Sequence, residues 1–127
     1  MREKIFIIRP VIEIELHEED IENIVVTALE GGIDYWASLE TEPWFAEGQG
    51  PVSVQAVRQL LSGQSIRFCD AEDMTTGDDW VLTLDKLLAG IKQELESEAR
   101  NLSDIEFDAA NADCIIQYAL FGKLVFG

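Results

Sequence analysis

Basic residues are what this sequence has least of. No lysine or arginine occurs between Arg9 and Arg58. Histidine occurs once, as His17, and cysteine twice, as Cys69 and Cys114. With one histidine and two cysteines, the four-ligand Cys/His set of a structural zinc site cannot be assembled. Both cysteines sit in apolar contexts, Ile66-Arg67-Phe68-Cys69 and Cys114-Ile115-Ile116, which predicts buried thiols and not a disulfide. No apolar run approaches the ~18 residues of a membrane span. The opening Met1-Arg2-Glu3-Lys4 followed by Ile5-Phe6-Ile7-Ile8 has the look of a signal peptide. Its apolar run ends at Arg9-Pro10, however, and Glu13 and Glu15 follow with no small-residue cleavage site. The run is therefore expected to be a strand, and the protein cytoplasmic. A Gly-rich phosphate loop is also lacking, because Gly31-Gly32 follows a predicted helix instead of opening one.

What is present is apolar substance and acid. The 127 residues are 47% apolar and include six Phe, three Trp and two Tyr, enough for the core of one domain spanning residues 1–127. Twenty-five acids stand against nine bases, a net charge of −16. The base-free stretch alone holds Glu13, Glu15, Glu18, Glu19, Asp20, Glu22, Glu30, Asp34, Glu40, Glu42 and Glu47. Such a field repels nucleic acid and anionic lipid and attracts basic protein surfaces. Direct DNA or RNA binding, which needs Lys and Arg against phosphates, is disfavoured.

Periodicity outlines the elements. Val11–Leu16 alternates apolar and acidic residues, the pattern of a half-buried strand with Ile12, Ile14 and Leu16 on one face. Ile21, Ile24, Val25, Ala28 and Leu29 have helical spacing, with acids in the first turn and Gly31-Gly32 as the stop. Ile33–Ala37 is expected to add one helical turn, and 40–51, with Pro43, Gly48, Gly50 and Pro51, a loop. A second helix is predicted over Ser53–Leu61. Ser65–Asp70 and Trp80–Thr83 read as an antiparallel pair joined by a turn at 75–79. Thr83 or Asp85 caps a helix carrying Leu84, Leu87, Leu88, Ile91 and Leu95. Asp108 caps another, with Ala112, Ile115, Ile116, Ala119 and Leu120 inward and Gly122 as the stop. Leu124–Phe126 is expected to form a short final strand. Without regular βαβ alternation, the fold class is α+β: a small antiparallel sheet packed by about four helices.

Few of the acids suggest chemistry. Asp70, Glu72, Asp73, Asp78 and Asp79 concentrate at one hairpin and read either as a divalent-cation site or as a solvated turn. Their spacing matches no EF-hand loop, so the turn is preferred and no metal or other cofactor is expected. His17, at a strand-to-helix junction, fits a helix start better than a base for Cys69 or Cys114. No catalytic residue is assigned. Trp44 and Phe45, in a polar loop beside Pro43 and Glu47, form a candidate aromatic anchor for a basic partner. Glu13, Glu15, Glu18, Glu19, Asp20 and Glu22 form the candidate acidic binding face.

Three segments together resemble a known family. They are Ala28–Trp36, Trp80–Gly90 and Asp108–Gly122, and they are similar to small acidic proteins encoded by phages, prophages and mobile elements of Gram-positive bacteria. The resemblance spans most of the chain apart from Glu40–Pro51. Its motifs are a helix stop, a helix start and a capped helix, so it implies shared structure and carries over no site. It also implies a setting, because small acidic proteins of such origin often inhibit host defence, some by imitating the charge of DNA. Two functions are therefore expected. One is an inhibitor with a DNA-mimic surface, set against the basic surface of a CRISPR effector or restriction enzyme of the host. The other is a non-catalytic assembly module, a homodimer through the C-terminal helix and Phe126, whose charge only confers solubility.

Overall fold

The computed structural model describes residues 3–73, 79–97 and 107–127. The first helix, α1 (Glu18–Thr27), runs into a single π-helical turn, Ala28–Gly32. Strand β1 (Ala37–Glu40) follows, then helix α2 (Val52–Leu61), strands β2 (Ile66–Asp70) and β3 (Trp80–Leu82), and helices α3 (Leu84–Ser97) and α4 (Ala109–Phe121). Among the described residues, four α-helices thus pack on a three-stranded antiparallel sheet of order β1-β2-β3, forming one α+β domain. Ala37 lies opposite Asp70 and Glu40 opposite Arg67, while Ile66 lies opposite Leu82.

The helices start and stop where their chemistry dictates. Asp108 accepts the Asn111 backbone N–H at 2.8 Å, and Thr83 Oγ1 accepts that of Lys86 at 3.2 Å, each satisfying a donor of the first turn. Gly31 has φ +155°, a conformation that a side chain would resist, and it turns the chain out of the π-helical turn. Ile33 then closes one more turn by accepting the N–H groups of Trp36 and Ala37. The core comprises Ile21, Ile24 and Val25 of α1, Leu60 of α2, Ile66 and Phe68 of β2, Leu87 and Ile91 of α3, and Ile115 and Ile116 of α4. The closest helix pair is α3 with α4. At Gly90 a methyl group would come within 2.5 Å of the Ile115 carbonyl oxygen, so the absent side chain sets the approach of the two backbones.

Three expectations are corrected. Ile5–Ile8 and Val11–Leu16 are not strands: residues 3–17 form an arm without regular secondary structure, outside the sheet. Alternation marks which side chains share a face, but a strand also needs a neighbouring edge, and the arm has none. Within it, Leu16 packs partly on the core while Val11 is fully exposed. Leu124–Phe126 is not a strand either, because a side chain, that of Gln117, takes its backbone groups. In the other direction, β1 forms where no strand was expected. The 75–79 turn falls largely outside the described residues.

Candidate functional site

The proposed acidic face begins on the arm. Glu13 and Glu15 are exposed there, and Glu15 pairs with His17 at 3.4 Å. His17 is the N-cap of α1, and its backbone N–H donates to Asp20 Oδ2 at 2.8 Å. Asp20 is therefore half-buried and partly structural, whereas Glu18, Glu19 and Glu22 are exposed. Acids in this turn also stabilise the helix through its dipole, by roughly 0.3–1 kcal/mol each. Two ion pairs lie wholly among the described residues, Glu15–His17 and Lys92–Glu96. Only the first touches the acidic face, so among the described residues its charge is almost uncompensated.

Other acids of the base-free stretch are engaged in the fold. Glu30 accepts from Ser53 Oγ at 3.0 Å. Glu40 shares a hydrogen bond with Asp79, which together with burial and the Asp79 charge raises its pKa, against a smaller opposing effect of Arg67. These positions contribute to shape more than to a presented field.

Trp44 and Phe45 sit in the loop between β1 and α2. Buried Gln55 holds that loop, accepting from the Ala46 N–H and donating to the carbonyls of Ala46 and Gly50 at 2.8–2.9 Å. Trp44 is half-buried against the core and Phe45 is 39% exposed. Trp44 lines a cavity of about 560 Å³ together with Glu40, Glu42, Pro43, Gln59 and Arg67, among others. An indole beside carboxylates suits a cationic side chain, though Arg67 offsets part of that charge.

Among the described residues, no three His, Cys, Asp or Glu side chains gather to hold a metal. Asp70 Oδ1 instead accepts the N–H of Glu72 at 2.8 Å and more weakly that of Asp73, an ordinary turn arrangement. Asp78 lies outside the described residues. Cys69 is a buried thiol against the Ser38 carbonyl, and Cys114 is half-buried on α4. No helix among the described residues is long and apolar enough to cross a membrane.

Sequence reasoning missed a polar network under the C-terminus. Asp113 accepts from Tyr35 OH at 2.6 Å, Trp36 Nε1 at 2.8 Å and Gln117 Nε2 at 2.9 Å. Fully buried Gln117 accepts the N–H groups of Val125 and Phe126 and donates to the Phe126 carbonyl. Phe126 then stacks on Trp36, with ring centroids 4.8 Å apart, while Trp80 meets Phe121 edge-on at 5.2 Å. Phe126 is thus an intramolecular contact. Residues from three distant segments meet here: Tyr35 and Trp36, Trp80, and Asp113 with Gln117. Compared with protein-family models, curated proteins and solved structures, the chain matches none.

Proposed function

We propose that this protein is a non-catalytic inhibitor that sets its acidic face against the basic surface of a nucleic-acid-handling protein. The single observation behind the reading is the near-absence of counter-charge on that face. From Glu13 to Glu22, six carboxylates meet one imidazole. A surface evolved only for solubility gains from interspersed signs, whereas a block of one sign steers and selects a partner of the other. Trp44, in its recess beside Glu40 and Glu42, offers a second contact for a Lys or Arg side chain. The resemblance to phage and mobile-element proteins sharpens the partner to a host defence protein, a CRISPR effector or a restriction enzyme. Binding is favoured over chemistry because His17 pairs with Glu15 on the arm while Cys69 is buried on β2.

The test is a pulldown from a bacterial lysate with the tagged full chain, at low and at moderate salt. The reading expects basic nucleic-acid-binding proteins that are released as salt shortens the screening length from about 10 Å at 0.1 M towards 3 Å at 1 M. A captured set indifferent to salt contradicts it. The second reading, an assembly module, is favoured by a different observation: the apolar side chains left exposed on the arm.

A further inference from the structure

The arm ahead of the acidic face has its own character. Ile5, Phe6, Ile7 and Ile8 are between 71% and 84% exposed, and Val11 is wholly so. Apolar side chains in such a contiguous run mark a contact surface, since single exposed apolar residues are common but runs are not. The charge of this segment is opposite to that of the rest of the chain. Arg2, Lys4 and Arg9 are opposed by Glu3 alone before Pro10, and the other twenty-four acids all come after it. The arm therefore suits an acidic partner, and an acidic surface is what the body of this same chain presents.

The sheet leaves a place for it. On β3, the Val81 carbonyl already accepts from Lys86 Nζ at 2.9 Å. On the opposite edge, β1 is hydrogen-bonded to β2 alone. The antiparallel register, with the Ala71 N–H on the Trp36 carbonyl, turns the backbone N–H and C=O of Leu39 to the open side. The four residues of β1 match the length of Ile5–Ile8. Pro10, which has no N–H, lies just beyond that run, where an added edge strand tolerates it.

We infer that the arm, through Ile5–Ile8 with Lys4 and Arg9, docks along β1 of a second copy, giving a reciprocal dimer by strand addition. This inference stands apart from the acidic-face reading, because it is tested on the purified chain with no partner present. Sedimentation velocity of the full chain should show a dimer. The Phe6→Asp/Ile8→Asp variant should sediment as a monomer that keeps the folded circular dichroism spectrum, because neither side chain belongs to the core, and its melting temperature should no longer depend on protein concentration. Lys4→Glu/Arg9→Glu should weaken the dimer at least about tenfold. Hydrogen exchange at the Leu39 amide should be slower in the wild type than in the Phe6→Asp/Ile8→Asp variant. A wild type that stays monomeric at about 100 μM, well above the dissociation constants of ordinary specific dimers, overturns the inference. So does a dimer that either arm variant leaves unchanged, or a Leu39 amide that exchanges equally in wild type and variant.

Discussion

Gln117 holds Phe126 by both of its backbone polar groups: Oε1 accepts the Phe126 N–H at 2.8 Å, and Nε2 donates to its carbonyl at 3.1 Å. One buried amide thereby replaces the strand pairing expected for the C-terminus, and it sets Phe126 flat on Trp36. Gln117→Leu keeps the volume but removes the partners of two backbone N–H groups. At about 0.5–1.5 kcal/mol net for each hydrogen bond lost at these part-buried N–H groups, the loss should be about 1–3 kcal/mol. Denaturant unfolding measures it, and the Phe126 amide should exchange quickly in the variant.

Gly90 gives the opposite kind of case, where adding an atom should hurt. Alanine in place of glycine gains about 1 kcal/mol of helix propensity. Here the new methyl would meet the Ile115 carbonyl at 2.5 Å and the Ala119 nitrogen at 2.9 Å, backbone atoms that no side-chain rotation can move. Overpacking of about 1–3 kcal/mol or more should win. Gly90→Ala is expected to lower the melting temperature, and Ala89→Ser beside it, at an exposed position, to leave it nearly unchanged.

Tyr35 reports on the Asp113 network through pH. Its phenol is raised from 10.0 to about 12, by burial first and then by the hydrogen bond and charge of Asp113. The folded protein therefore keeps this proton after the unfolded chain has lost it. The stability that the proton contributes is complete below pH 10 and is lost as pH rises towards 12. Ultraviolet titration should show one late-ionising tyrosine, which Tyr35→Phe removes.

Glu40 and Asp79 act at the other end of the scale. Glu40 is raised, chiefly by its hydrogen bond with Asp79, so the folded state holds a proton that the unfolded state releases earlier. Its contribution is present below the ordinary glutamate range and is lost as pH rises through the raised value. Glu40→Gln keeps a donor towards Asp79 at every pH. Thermal melts across mildly acidic pH should slope downward more in the wild type than in this variant.

Much of the fold was legible in the sequence because its signals are local. Asp108 followed three residues later by Asn111, Thr83 before Leu84, and Gly122 in the left-handed conformation all act within one turn. What was not legible depends on distant partners. Strand β1 exists because Ala37–Glu40 finds β2 some thirty residues later. Val11–Leu16 has a better strand pattern and no such partner. Gln117, between Ile116 and Tyr118 in α4, gave no sign that its amide would bind Val125 and Phe126. The acidic face was visible as composition, but the scarcity of counter-charge against it among the described residues required the side-chain positions. The same positions showed that Asp20, Glu30 and Glu40 are engaged within the fold.

The central claim is that carboxylates from Glu13 to Glu22 form a binding face. The direct measurement is the affinity of the captured partner for the wild type and for a chain with Glu13, Glu15, Glu18, Glu19 and Glu22 changed to Gln and Asp20 to Asn. Amides preserve shape, and Asn at position 20 retains an acceptor for the His17 N–H. At about 0.2–1 kcal/mol per exposed charge pair, six losses should weaken binding more than about tenfold and flatten its salt dependence, while circular dichroism shows the fold retained despite the lost helix-dipole contribution of Glu18, Glu19 and Asp20. Equal affinity and equal salt dependence in the two proteins would contradict the account.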